Sequence, residues 1–174
     1  MSLKCILDLE TTGRSPKTED IIQFTAILTD DNYNIVEVYD KRYYSPKIND
    51  FILNLLGLTL EEYQNLHTTR FSDDLQHIYD ILKKADGKIY AYSWKFDQNF
   101  LNSNFARYGW DLGVEQINAL PKQRIKLEQN LLQRGYHMNE LIAQTKKYFP
   151  QARGFHDATV DTYGCYLIVR DDRM

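Results

Sequence analysis

The chain has 174 residues, 43% of them apolar and 26% charged, a balance that excludes a disordered tail or a coiled coil and fits one packed domain spanning 1–174. Its 21 Lys and Arg against 24 Asp and Glu give a net charge of −3, which excludes the uniformly basic surface of a protein that coats duplex nucleic acid unaided. No apolar run approaches the ~18 residues needed to cross a bilayer, and Met1-Ser2-Leu3-Lys4 opens no signal sequence, so no membrane partner and a cytoplasmic location are expected.

In chain order, Lys4 to Leu9, Ile21 to Thr29 and Ile35 to Tyr44 read as three strands, rich in β-branched and aromatic residues. The turn formers Asp30-Asp31-Asn32-Tyr33-Asn34 between the last two predict a hairpin. After Pro46 come a short apolar helix and then Thr59-Leu60-Glu61-Glu62, whose Thr and Glu three apart form a capping box at a helix start. Ser72-Asp73-Asp74 is expected to cap the next helix, ending at Asp86-Gly87. Lys88 to Tyr92 reads as a fourth strand, followed by a helix carrying Phe96, Phe100, Leu101 and Phe105 at core spacing; this strand-to-helix step implies a parallel crossover. Pro121 is expected in the first turn of a helix stopped by Gly135, Met138 to Tyr148 is expected to form another, and the residues after His156 a last one. The order fits an α/β domain with a mixed sheet. Cys5 and Cys165, in apolar contexts at opposite ends, read as free buried thiols.

Three segments carry candidate chemistry. Asp8-Leu9-Glu10-Thr11-Thr12-Gly13 ends the first strand, and strand alternation sends Asp8 and Glu10 off one face about 7 Å apart. Two acids on a strand also suit a wet face, but the first strand of an α/β sheet is usually central, where paired acids call for a cation. Asp97 falls at a helix start, where an acid also suits the macrodipole. His156 and Asp161, five apart, converge only if the His lies in the loop and Asp161 about a turn inside the helix. Asp157 is then the natural N-cap.

Taken together, D-L-E-T-T-G, F-D-x-x-F-L and H-x4-D in this order resemble the DnaQ-like 3′ to 5′ exonucleases of the DEDDh type, over roughly residues 4 to 169. That family includes proofreading subunits of bacterial replicative polymerases, ribonuclease T and oligoribonuclease. The resemblance implies a ribonuclease H-like fold with a five-stranded mixed sheet flanked by helices. It implies two metal ions per site, Mg²⁺ or Mn²⁺, held by Asp8, Glu10, Asp97 and Asp161, with His156 as general base; Asp8 would bridge the two ions. By the same analogy Thr11, Thr12, Leu56 and Phe100 would meet the terminal nucleotide, Leu56 within Leu55-Leu56-Gly57-Leu58-Thr59. The implied substrate is the 3′ end of single-stranded DNA or RNA, DNA slightly favoured, released as nucleoside 5′-monophosphates. A DNA polymerase is the implied protein partner, although only 13 residues follow Asp161, too few for a long polymerase-gripping tail. The alternatives are an exoribonuclease acting on RNA ends or short oligonucleotides, and a non-catalytic module that binds nucleic-acid ends or a polymerase.

Two further features bear on substrate. Tyr92-Ser93 stands where many members have His-Asn, and Tyr92, Trp94 and Phe155 are candidate base stackers. From Leu120 to Arg153 the basic residues Lys122, Arg124, Lys126, Arg134, Lys146, Lys147 and Arg153 outnumber Glu128 and Glu140, giving +5 against −8 for the remainder. Such a segment suits a single-stranded backbone.

Overall fold

Strand β1 (Lys4–Thr11) forms the middle of a five-stranded sheet in the computed structural model, which describes residues 3–85, 88–111, 117–154 and 157–174. Its neighbours are β2 (Ile21–Thr29), antiparallel, and β4 (Ile89–Ala91), parallel; β3 (Ile35–Arg42) and β5 (Asn118–Ala119) complete the order β3-β2-β1-β4-β5. The mixed, helix-flanked sheet is the expected one. The hairpin joining β2 and β3 closes on Asp30, whose Oδ1 accepts from the backbone N–H of Asn32 at 2.9 Å and of Asn34 at 3.0 Å. Such an aspartate holds a turn locally, ahead of any tertiary contact.

Helices α1 (Asp50–Leu56), α2 (Leu60–Leu66) and α3 (Leu75–Lys83) lead from β3 to β4; α4 (Trp94–Arg107) leads to β5; α5 (Leu127–Gln133), α6 (Met138–Thr145) and α7 (Ala158–Asp171) close the chain. The capping box at Thr59 and Glu62 forms as expected. Alternation along β1 divides the core in two. Cys5, Leu7 and Leu9 face the layer of Leu75, Ile78, Phe100, Leu101 and Phe105, whereas Ile6 faces the layer containing Val160, Leu167 and Ile168 of α7. Asp8 and Glu10 share the parity of Ile6 and so point toward α7.

The structure departs from sequence expectation at three places. Asp74 precedes α3 without capping it through its side chain, because its carboxylate accepts from the Tyr43 hydroxyl at 2.5 Å instead; a single 3-10 turn, Phe71–Asp73, lies before it. The expected stop at Asp86-Gly87 lies outside the described residues. The helix expected from Pro121 begins only at Leu127, since the carbonyls of Pro121, Lys122 and Ile125 are taken by side chains of Tyr92 and Asn130, and Lys122 adopts φ +57°, which no α-helix accommodates. The two residues of β5 were too few to carry a periodic signal.

Because β1 is covered on both faces, Leu7→Ala is expected to cost about 2–5 kcal/mol in urea unfolding. Phe51, 72% exposed on α1, should tolerate Ala within about 0.5 kcal/mol. A loss below about 1 kcal/mol for Leu7→Ala would contradict the central position of β1.

Candidate active site

The end of β1 is held open by its own irregularity. The register with β2 shifts between Glu10 and Thr11, and a bulge at that point turns the strand end away from its partner. The chain then folds back so that Thr12 N–H donates to Asp20 O at 2.9 Å, while the Thr12 hydroxyl donates to Glu19 at 2.5 Å and accepts from Asp20 N–H at 3.0 Å. From α4, Arg107 pairs with Asp20 at 2.6 Å and donates to Glu19 O at 2.9 Å, tying this return loop to the helix that also carries Asp97.

Within this frame Asp8, Glu10 and Asp161 each present a carboxylate oxygen within 4.8 Å of the other two, all three half-buried. Asp161 reaches them from the first turn of α7. Asp97, in the first turn of α4, is 1% exposed, and its Oδ2 has no hydrogen-bond partner among the described residues. A carboxylate oxygen stripped of water and left unpaired is costly unless a cation or proton meets it.

Electrostatics reflect this crowding. Burial, then the charges of Asp161, Asp97 and Glu10, push Asp8 well above the usual carboxylate range; burial, then Asp161, Asp97 and Asp157, do the same to Glu10. Burial raises Asp97, and burial with Asp157 and Glu128 raises Asp161 to about 7. An all-oxygen donor set of this kind fits a hard divalent ion, and Asp8, Glu10 and Asp161, with Asp97 close by, are the residues that would hold it.

Asp157 behaves differently. It caps α7 by accepting from Thr159 N–H at 3.0 Å, and also accepts from Gln23 at 3.2 Å, from Arg42 at 3.2 and 3.3 Å and from Arg153 N–H at 3.1 Å. Burial alone would raise its pKa, but the Arg42 guanidinium and the Thr159 donors hold it below the ordinary value. Arg42 is itself fixed by Asp40, 3.0 Å away. Sequence reading singled out neither Arg42 nor Gln23, since nothing local ties them to a residue more than a hundred positions away.

Other expectations sort unevenly. Leu56 lines a narrow pocket beside Glu10 together with Ile22, Leu55, Leu58, His67 and Arg153. Burial, reinforced by Arg42 and Arg153, lowers His67 to about 4, so the imidazole there is neutral, with Nδ1–H donated to Tyr63 O. Thr11 donates to Gly13 O at 2.6 Å, and the Thr12 hydroxyl is committed as described. Phe100, expected at the terminal nucleotide, is fully buried in the core and packs against Phe96. Trp94 also packs against the core. Arg134 is spent on Asp172, with two bonds of 2.8 Å, whereas Arg124 and Lys126 line a cleft of about 480 Å³ with Asp8, Tyr92, Asp161 and Cys165. Cys5 and Cys165 are free and buried, as expected. His156 and Phe155 lie outside the described residues. No described helix is long and apolar enough to cross a membrane.

The family RNase_T, described as Exonuclease, matches residues 5–169. A PolC-type DNA polymerase III of Mycoplasmopsis pulmonis is 25% identical over 162 residues, covering 90% of this chain and 11% of the polymerase. A solved structure of exonuclease I superposes with TM-score 0.71 at 19% identity, covering 98% of this chain and 40% of that one. Escherichia coli exonuclease I in complex with a dA13 oligonucleotide gives TM-score 0.63 at 20% identity, and a zinc-bound form of its complex with single-stranded DNA gives 0.63 at 18%; this chain is 98% covered in both, those chains 40% and 41%. The chain thus spans a small part of the polymerase and less than half of the exonuclease I chains, with which it shares the fold.

The raised carboxyls set a pH dependence. A group whose folded pKa exceeds its unfolded value of about 4 contributes stability below that pH and loses it as pH rises through the folded value, for Asp161 about 7. In chelator, the melting temperature is therefore expected to fall from pH 5 to pH 7.5, and less steeply in Asp8→Asn. Asp157 acts in the opposite direction, its stabilisation lost only as pH drops below the unfolded value. A melting temperature that climbs across this range equally in both proteins would contradict the repulsion.

Proposed function

The chain belongs to the RNase_T exonuclease family, and from that premise we propose that it is a divalent-metal-dependent 3′ to 5′ exonuclease, acting on single-stranded ends with DNA favoured over RNA. The observation that carries the proposal is the cluster of Asp8, Glu10 and Asp161 beside the Asp97 oxygen that has no partner among the described residues. Mg²⁺ or Mn²⁺, two per site, suits donors that are all carboxylate oxygens and include no Cys or His pair. Bound there, such ions supply charge relief for the attacking and leaving oxygens of a phosphodiester.

The chain's own residues do the remaining work. Asp8, Glu10, Asp97 and Asp161 set the geometry of the ion site and must all be deprotonated to do so. Leu55, Leu56 and Leu58 lie with Ile22 beside Glu10, and this apolar edge next to the acidic cluster supports the reading that Leu56 meets the terminal nucleotide. His156 is the proposed general base, taking a proton from the attacking water at an imidazole nitrogen, a task its unperturbed pKa near ~6.5 suits at neutral pH. Its sequence position supports this role, because it immediately precedes Asp157, the cap that fixes the start of α7. A DNA polymerase remains the proposed partner, on the strength of the polymerase relative.

A single-stranded oligonucleotide labelled at its 5′ end should give a descending ladder with Mg²⁺ or Mn²⁺, none with chelator, and none with Asp8→Ala. A 3′-phosphate should block it, and matched DNA and RNA oligomers rank the substrates; faster RNA cleavage would replace the DNA preference with an exoribonuclease. His156→Ala should lose ~10² to 10⁴ in rate while still binding metal. Near-parental turnover by Asp8→Ala would overturn the metal assignment, and near-parental turnover by His156→Ala would overturn the base.

A further inference from the structure

Tyr92 stands one residue past β4, and its hydroxyl is fully engaged away from the carboxylates. It donates to Ile125 O at 2.5 Å and to Lys122 O at 2.8 Å, sharing its one proton between them. Asn130, 1% exposed on α5, donates to Pro121 O at 3.0 Å and accepts from Arg134 at 2.9 Å. The segment 121–126 is thereby pinned along its length by side chains from two other elements. It holds Lys122 at φ +57°, a conformation that a non-glycine residue keeps only where its surroundings over-determine it.

The pinned segment has a consequence for charge. Gln123, Arg124 and Lys126 are exposed on it and line the 480 Å³ cleft together with Glu128, Asp8 and Asp161. Among the described residues neither Arg124 nor Lys126 is ion-paired, in contrast to Arg134. Cations and carboxylates that share a cleft without pairing leave room for a group that each attracts in its own way. A phosphodiester is such a group, its anionic oxygens turned to the strap and its reacting oxygens to the ion site.

We propose that Tyr92 is the positioning residue of a phosphate-binding strap, residues 122–126, through which Arg124 and Lys126 hold the sugar-phosphate backbone of the strand in the cleft. This rests on the exonuclease reading and extends it, since it assigns substrate grip to a segment outside the three acidic motifs. It also gives the Tyr at this position a task that neither base stacking nor ion binding requires.

The test is binding of a labelled single-stranded oligonucleotide with a non-hydrolysable 3′-terminal linkage, in Mg²⁺, between about 50 and 200 mM salt. Each lost phosphate contact on a single strand lowers the slope of log affinity against log salt by about 0.7. Arg124→Gln and Lys126→Gln, both at exposed positions, are expected to lose that amount each. Tyr92→Phe, which removes only the hydroxyl, is expected to lose about 0.7 to 1.4 and to raise KM by a larger factor than it lowers kcat on a cleavable oligonucleotide. Parental slopes in all three variants would overturn the strap. A parent protein that binds with the full strap-dependent slope yet leaves a cleavable oligonucleotide intact would support the strap and overturn the exonuclease reading instead.

Discussion

Mutual repulsion among carboxylates at one end of a central strand is the constraint around which this molecule is arranged. Asp8 and Glu10 leave β1 on the face that α7 covers, Asp161 enters from that helix, and Asp97 adds a buried oxygen with no partner among the described residues. Burial displaces every member of the set upward, and the charges of neighbouring carboxylates add to it for Asp8, Glu10 and Asp161. Such a site is destabilising until a cation enters it, which is the usual cost of a functional cluster.

The fold resists that repulsion by bracing the elements that deliver the charges. Arg107 binds the loop after β1 to α4, so the elements bearing Asp8 and Asp97 are tied together. Arg42 and Gln23 bind Asp157, which fixes the start of α7 and with it the placement of Asp161. Tyr92 and Asn130 pin residues 121–126, whose Arg124 and Lys126 line the cleft with Asp8 and Asp161. Positive charge is thus placed by side-chain hydrogen bonds at the rim and kept out of the cluster itself. A net-acidic protein can in this way meet a polyanion at one cleft without a basic surface overall.

Much of this was legible in the sequence, for identifiable reasons. Strand alternation alone put Asp8 and Glu10 on one face, the turn formers after Thr29 gave the hairpin, and the Thr59–Glu62 spacing gave a capping box; each is a local rule acting over a few residues. Asp157 was likewise readable as a cap from its place before the last helix. What escaped was non-local. Pro121 pointed to a helix start, and local propensity lost there to hydrogen bonds from Tyr92 and Asn130 that no short window contains. The Arg42–Asp157 pair joins residues 115 positions apart, beyond any spacing rule.

Carboxyl groups of the cluster hold protons in the metal-free protein and must release them to an ion. Calorimetric titration of Mn²⁺ into metal-free protein, in two buffers of different ionisation enthalpy, counts the protons released. Near pH 6.5, below the value of about 7 for Asp161, binding is expected to release protons, with fewer released as pH rises. Binding that releases none at that pH, or no binding at all, would contradict the account.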